Sequence, residues 1–305
     1  MSNTNFEQLI DDNQTNKQTI TPSFPLMSDE EKVKRETYTD EEIADVNNIS
    51  VTIPDTKTPI VVFFGSMASG KTLALLRLIR FLESENQGYT VEPEYVFRPQ
   101  TDKHYKKMCV ELKNMAYNQY APGGTDNISF MLVKVLDQGS HPICQILEAP
   151  GEHYFDGTAN LNFPTYIHTI SQVPNRKIWV FFVQQDWGKD ANERSMYAQK
   201  ICKMQELIMP NDKVIFLFNQ CDRKPKQYLP NKHPKVEAFF NNIQNQYPNI
   251  FAKYTRQGLA SIFFGKYDFQ QVCFSSGTFT RTKDGKEVWI PGKDFYCQDL
   301  WNLIS

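Results

Sequence analysis

The stretch Pro59–Leu82, PIVVFFGSMASGKTLALLRLIRFL, decides how the rest of the chain is read. Its opening run, Pro59–Phe64, is apolar and rich in β-branched and aromatic residues, as in a strand buried on both faces. Its closing run, Lys71–Leu82, has the apolar spacing of a largely buried helix. Between them, Gly65-Ser66-Met67-Ala68-Ser69-Gly70-Lys71-Thr72 fits the pattern G-x-x-x-x-G-K-[ST]. Glycines at these positions let the backbone curl so that successive N–H groups converge on phosphate oxygens. The helix N-terminus adds partial positive charge. Lys71 supplies a point charge for the outer phosphates. Thr72 supplies a hydroxyl for Mg2+, a cation that keeps most of its waters and takes few protein ligands.

Outward from this stretch the chain alternates strands and helices. Asp102–Tyr120 reads as a helix stopped by Pro122-Gly123-Gly124. Ile128–Leu136 and Ile143–Leu147 flank the turn Asp137–Ser140 as a β-hairpin. Ile178–Val183 and Val214–Phe218 read as buried strands with a helix, about Asn192–Ile208, between them. Pro234–Gln246 is a further helix, Val272–Phe274 a short strand and Gln298–Ile304 a terminal helix. This order predicts an α/β fold, a mostly parallel sheet flanked by helices on both faces.

Composition narrows the function. The 305 residues carry 33 Lys+Arg and 35 Asp+Glu, a net charge of −2, which makes no case for nucleic acid as the main partner. No run reaches the ~18 apolar residues of a membrane span, and Met1–Ile10 has no secretory signal pattern. Six cysteines without CxxC spacing point to reduced thiols in a cytoplasm. The first fifty residues hold 11 acidic and 4 basic side chains, so the acidity is concentrated there and the remainder is basic. Residues 1–50 are expected to be an acidic, disordered tail that solvates itself or else folds onto a partner or back onto the basic remainder, and residues 51–305 the globular domain.

Beyond Val214–Phe218 stands Asn219-Gln220-Cys221-Asp222. Here the chain resembles the Ras-like (TRAFAC-class) P-loop GTPases, whose guanine motif, Asn-Lys-x-Asp, follows a strand. Asn219 and Asp222 match, and Gln220 replaces the Lys. A carboxylate at Asp222 accepts two N–H bonds from guanine, whereas adenine offers no such donor pair. Ser275, Ser276 and Gly277 stand where the family carries its last guanine loop. The family's Asp-x-x-Gly corresponds to Glu148-Ala149-Pro150-Gly151, with Glu148 as the Mg2+-side carboxylate and Gly151 as the γ-phosphate contact. The water-orienting Gln of the family falls on Glu152. His153 stands one place after the position at which translation-factor GTPases carry a His, and is the preferred catalytic candidate. The first-switch Thr corresponds to Thr90 or, alternatively, Thr101.

The resemblance implies a guanine-nucleotide-binding protein using GTP/GDP and Mg2+, with hydrolysis of GTP driving a regulatory switch that engages a protein partner or effector. A P-loop ATPase or kinase, a nucleotide-binding scaffold without useful hydrolysis, and an interaction module working through its acidic tail stay open as alternatives. So does the oligomeric state.

Overall fold

A computed structural model describes residues 39–118, 130–155, 160–184, 190–221, 234–284 and 286–305. In chain order the elements are α1 (Asp40–Ala44), β1 (Ile60–Phe64), α2 (Lys71–Leu82), β2 (Thr90–Pro93), α3 (Lys103–Tyr117), β3 (Met131–Leu136), β4 (Pro142–Glu148), α4 (Thr165–Gln172), β5 (Lys177–Gln184), α5 (Ala191–Met204), β6 (Lys213–Asn219), α6 (Val236–Gln246), α7 (Gly258–Phe264), β7 (Gln270–Cys273), β8 (Gly277–Arg281), β9 (Glu287–Pro291) and α8 (Asp294–Ile304). Strands β1 to β7 form one sheet in the order β2-β3-β4-β1-β5-β6-β7, and β8 and β9 form a separate hairpin. All pairings from β4 across to β7 are parallel, while β3 runs antiparallel to both β2 and β4. The α/β expectation therefore holds.

The centre of the sheet is the most apolar part of the sequence. Every residue of β1 is buried, as are all but the last of β5 and all but the first of β6. From β1 the chain crosses one way to β2 and later the other way to β5, β6 and β7. Right-handed crossovers then put α2 on one face and α4, α5 and α6 on the other. The contacts of α2 with α3 and α8 assign those two helices to its face.

Register fixes which strand ends meet. Phe63 lies beside Glu148 on one side and Val180 on the other, Gln184 lies beside Asn219, and Phe218 beside Cys273. The C-terminal ends of β1, β4, β5, β6 and β7 thus form one edge, which is where ligands bind in open α/β sheets.

Several elements escape the periodicity argument. The β8–β9 hairpin alternates as a strand pair should and surrounds an Asp284-Gly285 dipeptide, a turn signal that could have been read. Helix α8 begins at Asp294 rather than Gln298, because Arg77 on α2 binds Gly292 O and the Asp294 carboxylate and pins the earlier start. Helix α4 is eight residues long, too short for periodicity to stand out.

The last dozen residues of the acidic stretch are folded onto the body. Thr39 and Glu42 form a capping box on α1. The Glu42 carboxylate then takes both oxygens to Arg98 Nη2, at 2.8 and 2.7 Å. Arg98 also donates to Ser50 O at 2.7 Å and to Asp102 Oδ2 at 3.0 Å, and its guanidinium lies over the Phe130 ring. Ile49 is buried, and Asn47 Oδ1 accepts from Thr165 N at 3.1 Å. Composition left open solvation or docking on the basic remainder; for residues 39–50 a buried guanidinium 56 residues away in sequence supplies the docking partner.

Burial by itself raises the Glu42 carboxyl, but Arg98 and the N–H groups of Thr39 and Ser50 outweigh it and hold it below its ordinary value of 4.5. A depressed carboxyl contributes stability above its unfolded value and loses it as pH falls through the folded one. Docking of residues 39–50 is therefore expected to weaken only below about pH 4.5. Glu42→Gln should cost about 3 kcal/mol at neutral pH, the low end for breaking a buried pair since Asp102 remains. Urea denaturation measures it, and hydrogen exchange should show the loss concentrated at residues 39–50.

Candidate functional site

The loop between β1 and α2 has the backbone its sequence requires. Ala68 (φ 58°) and Gly70 (φ 86°) are left-handed, and Gly70 stands at the N-cap of α2 without a side-chain cap. A Cβ on Gly70 would run into the Asn219 amide, so the position demands glycine twice over. Lys71 is buried, and its ammonium donates to Gly65 O at 3.0 Å and Ser66 O at 3.1 Å. Burial drives the Lys71 ammonium below its usual range, while the charges of Glu148 and Glu152 oppose that shift. Both carboxylates therefore act on the lysine that heads the helix.

Thr72 Oγ1 donates to Glu148 Oε1 at 3.0 Å, joining the first turn of α2 to the end of β4. A hydroxyl and a carboxylate side by side are hard oxygen donors suited to Mg2+. The extra methylene of Glu relative to Asp does not prevent the meeting. Gly151, three residues on, rests directly against the backbone of Ser66 and Met67, and a Cβ there would overlap both. The loop leaving β4 is thus in contact with the phosphate loop.

The turn after β6 closes on the same loop. Asn219 is fully buried; its Nδ2 donates to Ser69 O at 2.6 Å and its Oδ1 accepts from Gln220 N at 2.8 Å. Gln220 adopts φ 60°, which turns the chain sharply behind the strand. Cys221 N donates to Phe274 O at 3.2 Å, and Phe274 N to Phe218 O at 2.8 Å, so Ser275, Ser276 and Gly277 lie beside the Asn219 turn. Ser276 O accepts from Trp289 Nε1 at 3.0 Å and Gly277 N donates to Ser275 Oγ at 3.2 Å, which ties this loop to the β8–β9 hairpin. Asp222 lies outside the described residues.

Sequence reasoning missed Gln184. It ends β5 in register with Asn219, and its Nε2 donates to Ala68 O at 2.6 Å. A polar residue closing an apolar strand at this edge is the signal that marks it.

Thr90 needs correction. It is exposed and pairs with Leu136, whose partner on β4 is Pro142. Glu148 stands at the other end of β4, about 20 Å away at ~3.3 Å per residue. Thr90 is therefore at the sheet edge opposite the phosphate loop. An additional edge strand, β2, uses those residues. Thr101, the alternative, lies in the connection that leaves β2 at the phosphate-loop edge, and is exposed.

The two candidates for orienting water differ in surroundings. Glu152 is close enough to act on the Lys71 charge. His153 Nδ1 is 3.0 Å from the Tyr166 hydroxyl, and its ring meets Phe130 and Tyr166 edge-on. The same Phe130 ring lies under Arg98, so this aromatic cluster joins the loop after β4 to the docked N-terminal segment.

No family model matches the chain, and no curated protein sequence matches it. Solved structures do. The chain is similar to the GTPase-like domain of S. cerevisiae Ski7 bound to GDP and inorganic phosphate, at 15% identity and TM-score 0.40 over 87% of this chain and 52% of that one. It is similar to the signal recognition particle receptor SRβ-GTP/SRX complex from Chaetomium thermophilum, at 11% identity and TM-score 0.37 over 74% and 93%. It is also similar to Methanosarcina barkeri Roco2 RocCORdC bound to GDP, at 13% identity and TM-score 0.33 over 84% and 51%. The chain spans about half the length of the matched Ski7 and Roco2 chains.

Proposed function

We propose that this chain binds a guanine nucleotide with Mg2+ and works as a cytoplasmic regulatory switch toward a protein partner. The observation that carries the reading is the seating of three sequence-distant groups, Glu148, Gly151 and Asn219, directly on the Gly65–Thr72 loop. In this reading the backbone amides of Gly65–Gly70 and the Lys71 ammonium hold the phosphates, and Thr72 and Glu148 hold Mg2+. The bound ion supplies charge neutralisation for the outer phosphate oxygens. Because Gly151 stands on Ser66 and Met67, the loop after β4 feels what the phosphate loop holds and passes it on through His153 to Tyr166. Asn219 holds the turn at Gln220 and Cys221, beside which Ser275–Gly277 lie, and Asp222, next in sequence, is the proposed reader of the base.

A second reading, nucleotide binding without useful hydrolysis, draws on the engagement of His153 with Tyr166 and Phe130. Single-turnover release of phosphate from bound GTP separates the two. Release that slows in His153→Ala supports a hydrolytic switch using this ring. Absence of release in the unaltered protein supports the scaffold.

Lys71→Ala is expected to weaken GTP and GDP affinity by a factor of at least about a hundred, from loss of a charge-assisted contact worth roughly 3 kcal/mol. Titration with a fluorescent guanine nucleotide measures it, and unchanged affinity would falsify the site. Asp222→Asn replaces an acceptor by a donor and should exchange GTP preference for xanthosine triphosphate. ATP competing with GTP at equal concentration would instead favour the ATPase or kinase alternative.

A further inference from the structure

The connection from α6 to β7 carries four large apolar side chains in solvent. Leu259, Ile262, Phe263 and Phe264 are 72%, 75%, 76% and 74% exposed, and no other described large apolar side chain is as exposed. All four stand on α7, which buries none of its residues. Scattered surface leucines need no explanation, but four such side chains within six positions form a patch that does.

The segment is held in this form at its base. Arg256 Nη1 donates to Phe264 O at 2.8 Å and Tyr267 O at 2.6 Å, its Nη2 is paired with Asp268, and Arg256 N donates to Lys266 O at 2.8 Å. Thr255 bridges to Tyr267, and Tyr267 and Phe269 pack into the aromatic cluster of Phe240 and Phe251. The tip is bare: nothing lies within 4 Å of a Cβ built on Gly258 or Gly265, the glycines bounding α7. The result is a protrusion with a fixed stem and an apolar crown, shaped to enter something.

Charge selects the occupant. From Ala238 through Tyr267 the sequence has no carboxylate, while Lys253, Arg256 and Lys266 fall within it. Arg256 is spent on the stem and pairs with Asp268, while Lys253 and Lys266 are exposed, six residues before Leu259 and two after Phe264. Apolar and aromatic side chains at a tip, flanked in sequence by exposed lysines, match the two layers of an anionic bilayer surface: acyl chains for the tip, headgroup phosphates for the ammonium groups. The position fits as well. Residue Gln270 starts β7 beside Ile215, at the sheet edge opposite the phosphate loop, so a bilayer at α7 leaves that loop in water.

We propose that α7 is a peripheral membrane anchor that inserts Leu259, Ile262, Phe263 and Phe264 into an anionic lipid surface. It spans nothing; among the described residues no helix is long and apolar enough to cross a membrane. The proposal is independent of the nucleotide reading.

The test is sedimentation of the full chain with vesicles of phosphatidylcholine, with and without phosphatidylserine, at low and high salt. Binding is expected to require phosphatidylserine and to fall with salt. Phe263→Glu combined with Phe264→Glu should lower it about tenfold or more, with an unchanged circular-dichroism melting curve, because both side chains face solvent. Lys253→Glu combined with Lys266→Glu should remove the preference for phosphatidylserine. Absence of binding to either vesicle, or equal binding by the Phe double variant, overturns the proposal. Self-association of the unaltered chain by light scattering, lost in that variant and without vesicle binding, overturns it in favour of a second copy as the occupant.

Discussion

An ammonium group buried at the head of a helix is the constraint around which the edge of this sheet is arranged. Lys71 cannot be solvated where it stands, so the carbonyls of Gly65 and Ser66 turn toward it and the carboxylates of Glu148 and Glu152 lie close enough to hold its charge. That requirement brings the end of β4 to the start of α2, and the hydrogen bond from Thr72 to Glu148 closes the junction. It also makes the loop narrow and its left-handed residues obligatory, with Asn219 filling the space beside Gly70.

Once the loop is fixed, neighbouring segments are positioned by contact with it. Gly151 has no side chain and so can rest on Ser66 and Met67; the residues after it lead Tyr154 onto Phe64 and His153 onto Tyr166. Phe130, just before β3, meets both His153 and Tyr166, and the Arg98 guanidinium lies over its ring. Through Arg98 the chain of contacts continues to Glu42 and the docked segment before β1. A packed core of this kind has discrete arrangements rather than graded ones. Contacts from the loop after β4 thus reach α4 and the N-terminal segment, and through Phe155 and Tyr197 they also reach Tyr247 at the end of α6.

The two edges of the sheet differ in chemistry. At one edge, strand ends are polar, carrying Glu148, Gln184 and Asn219 onto a phosphate-type loop. At the other, beyond the aromatic cluster of Phe216, Phe240, Phe251 and Phe269, an apolar helix stands in solvent above a stretch without carboxylates.

The strand, loop and helix of Pro59–Leu82 were legible because their determinants are local: apolar periodicity, glycines at sharp turns, and a lysine at the helix head. Asn219 and Gly151 were read through resemblance to family motifs that follow apolar strands, not from periodicity. Tertiary structure alone decided that Thr90 belongs to an edge strand at the far end of the sheet and that Glu42 pairs with Arg98. It alone decided, too, that the apolar face of α7 meets solvent instead of core. Periodicity records which side chains avoid water but not what covers them. Strand order and long-range ion pairs depend on residues dozens of positions apart, whose meeting is fixed only when the sheet closes.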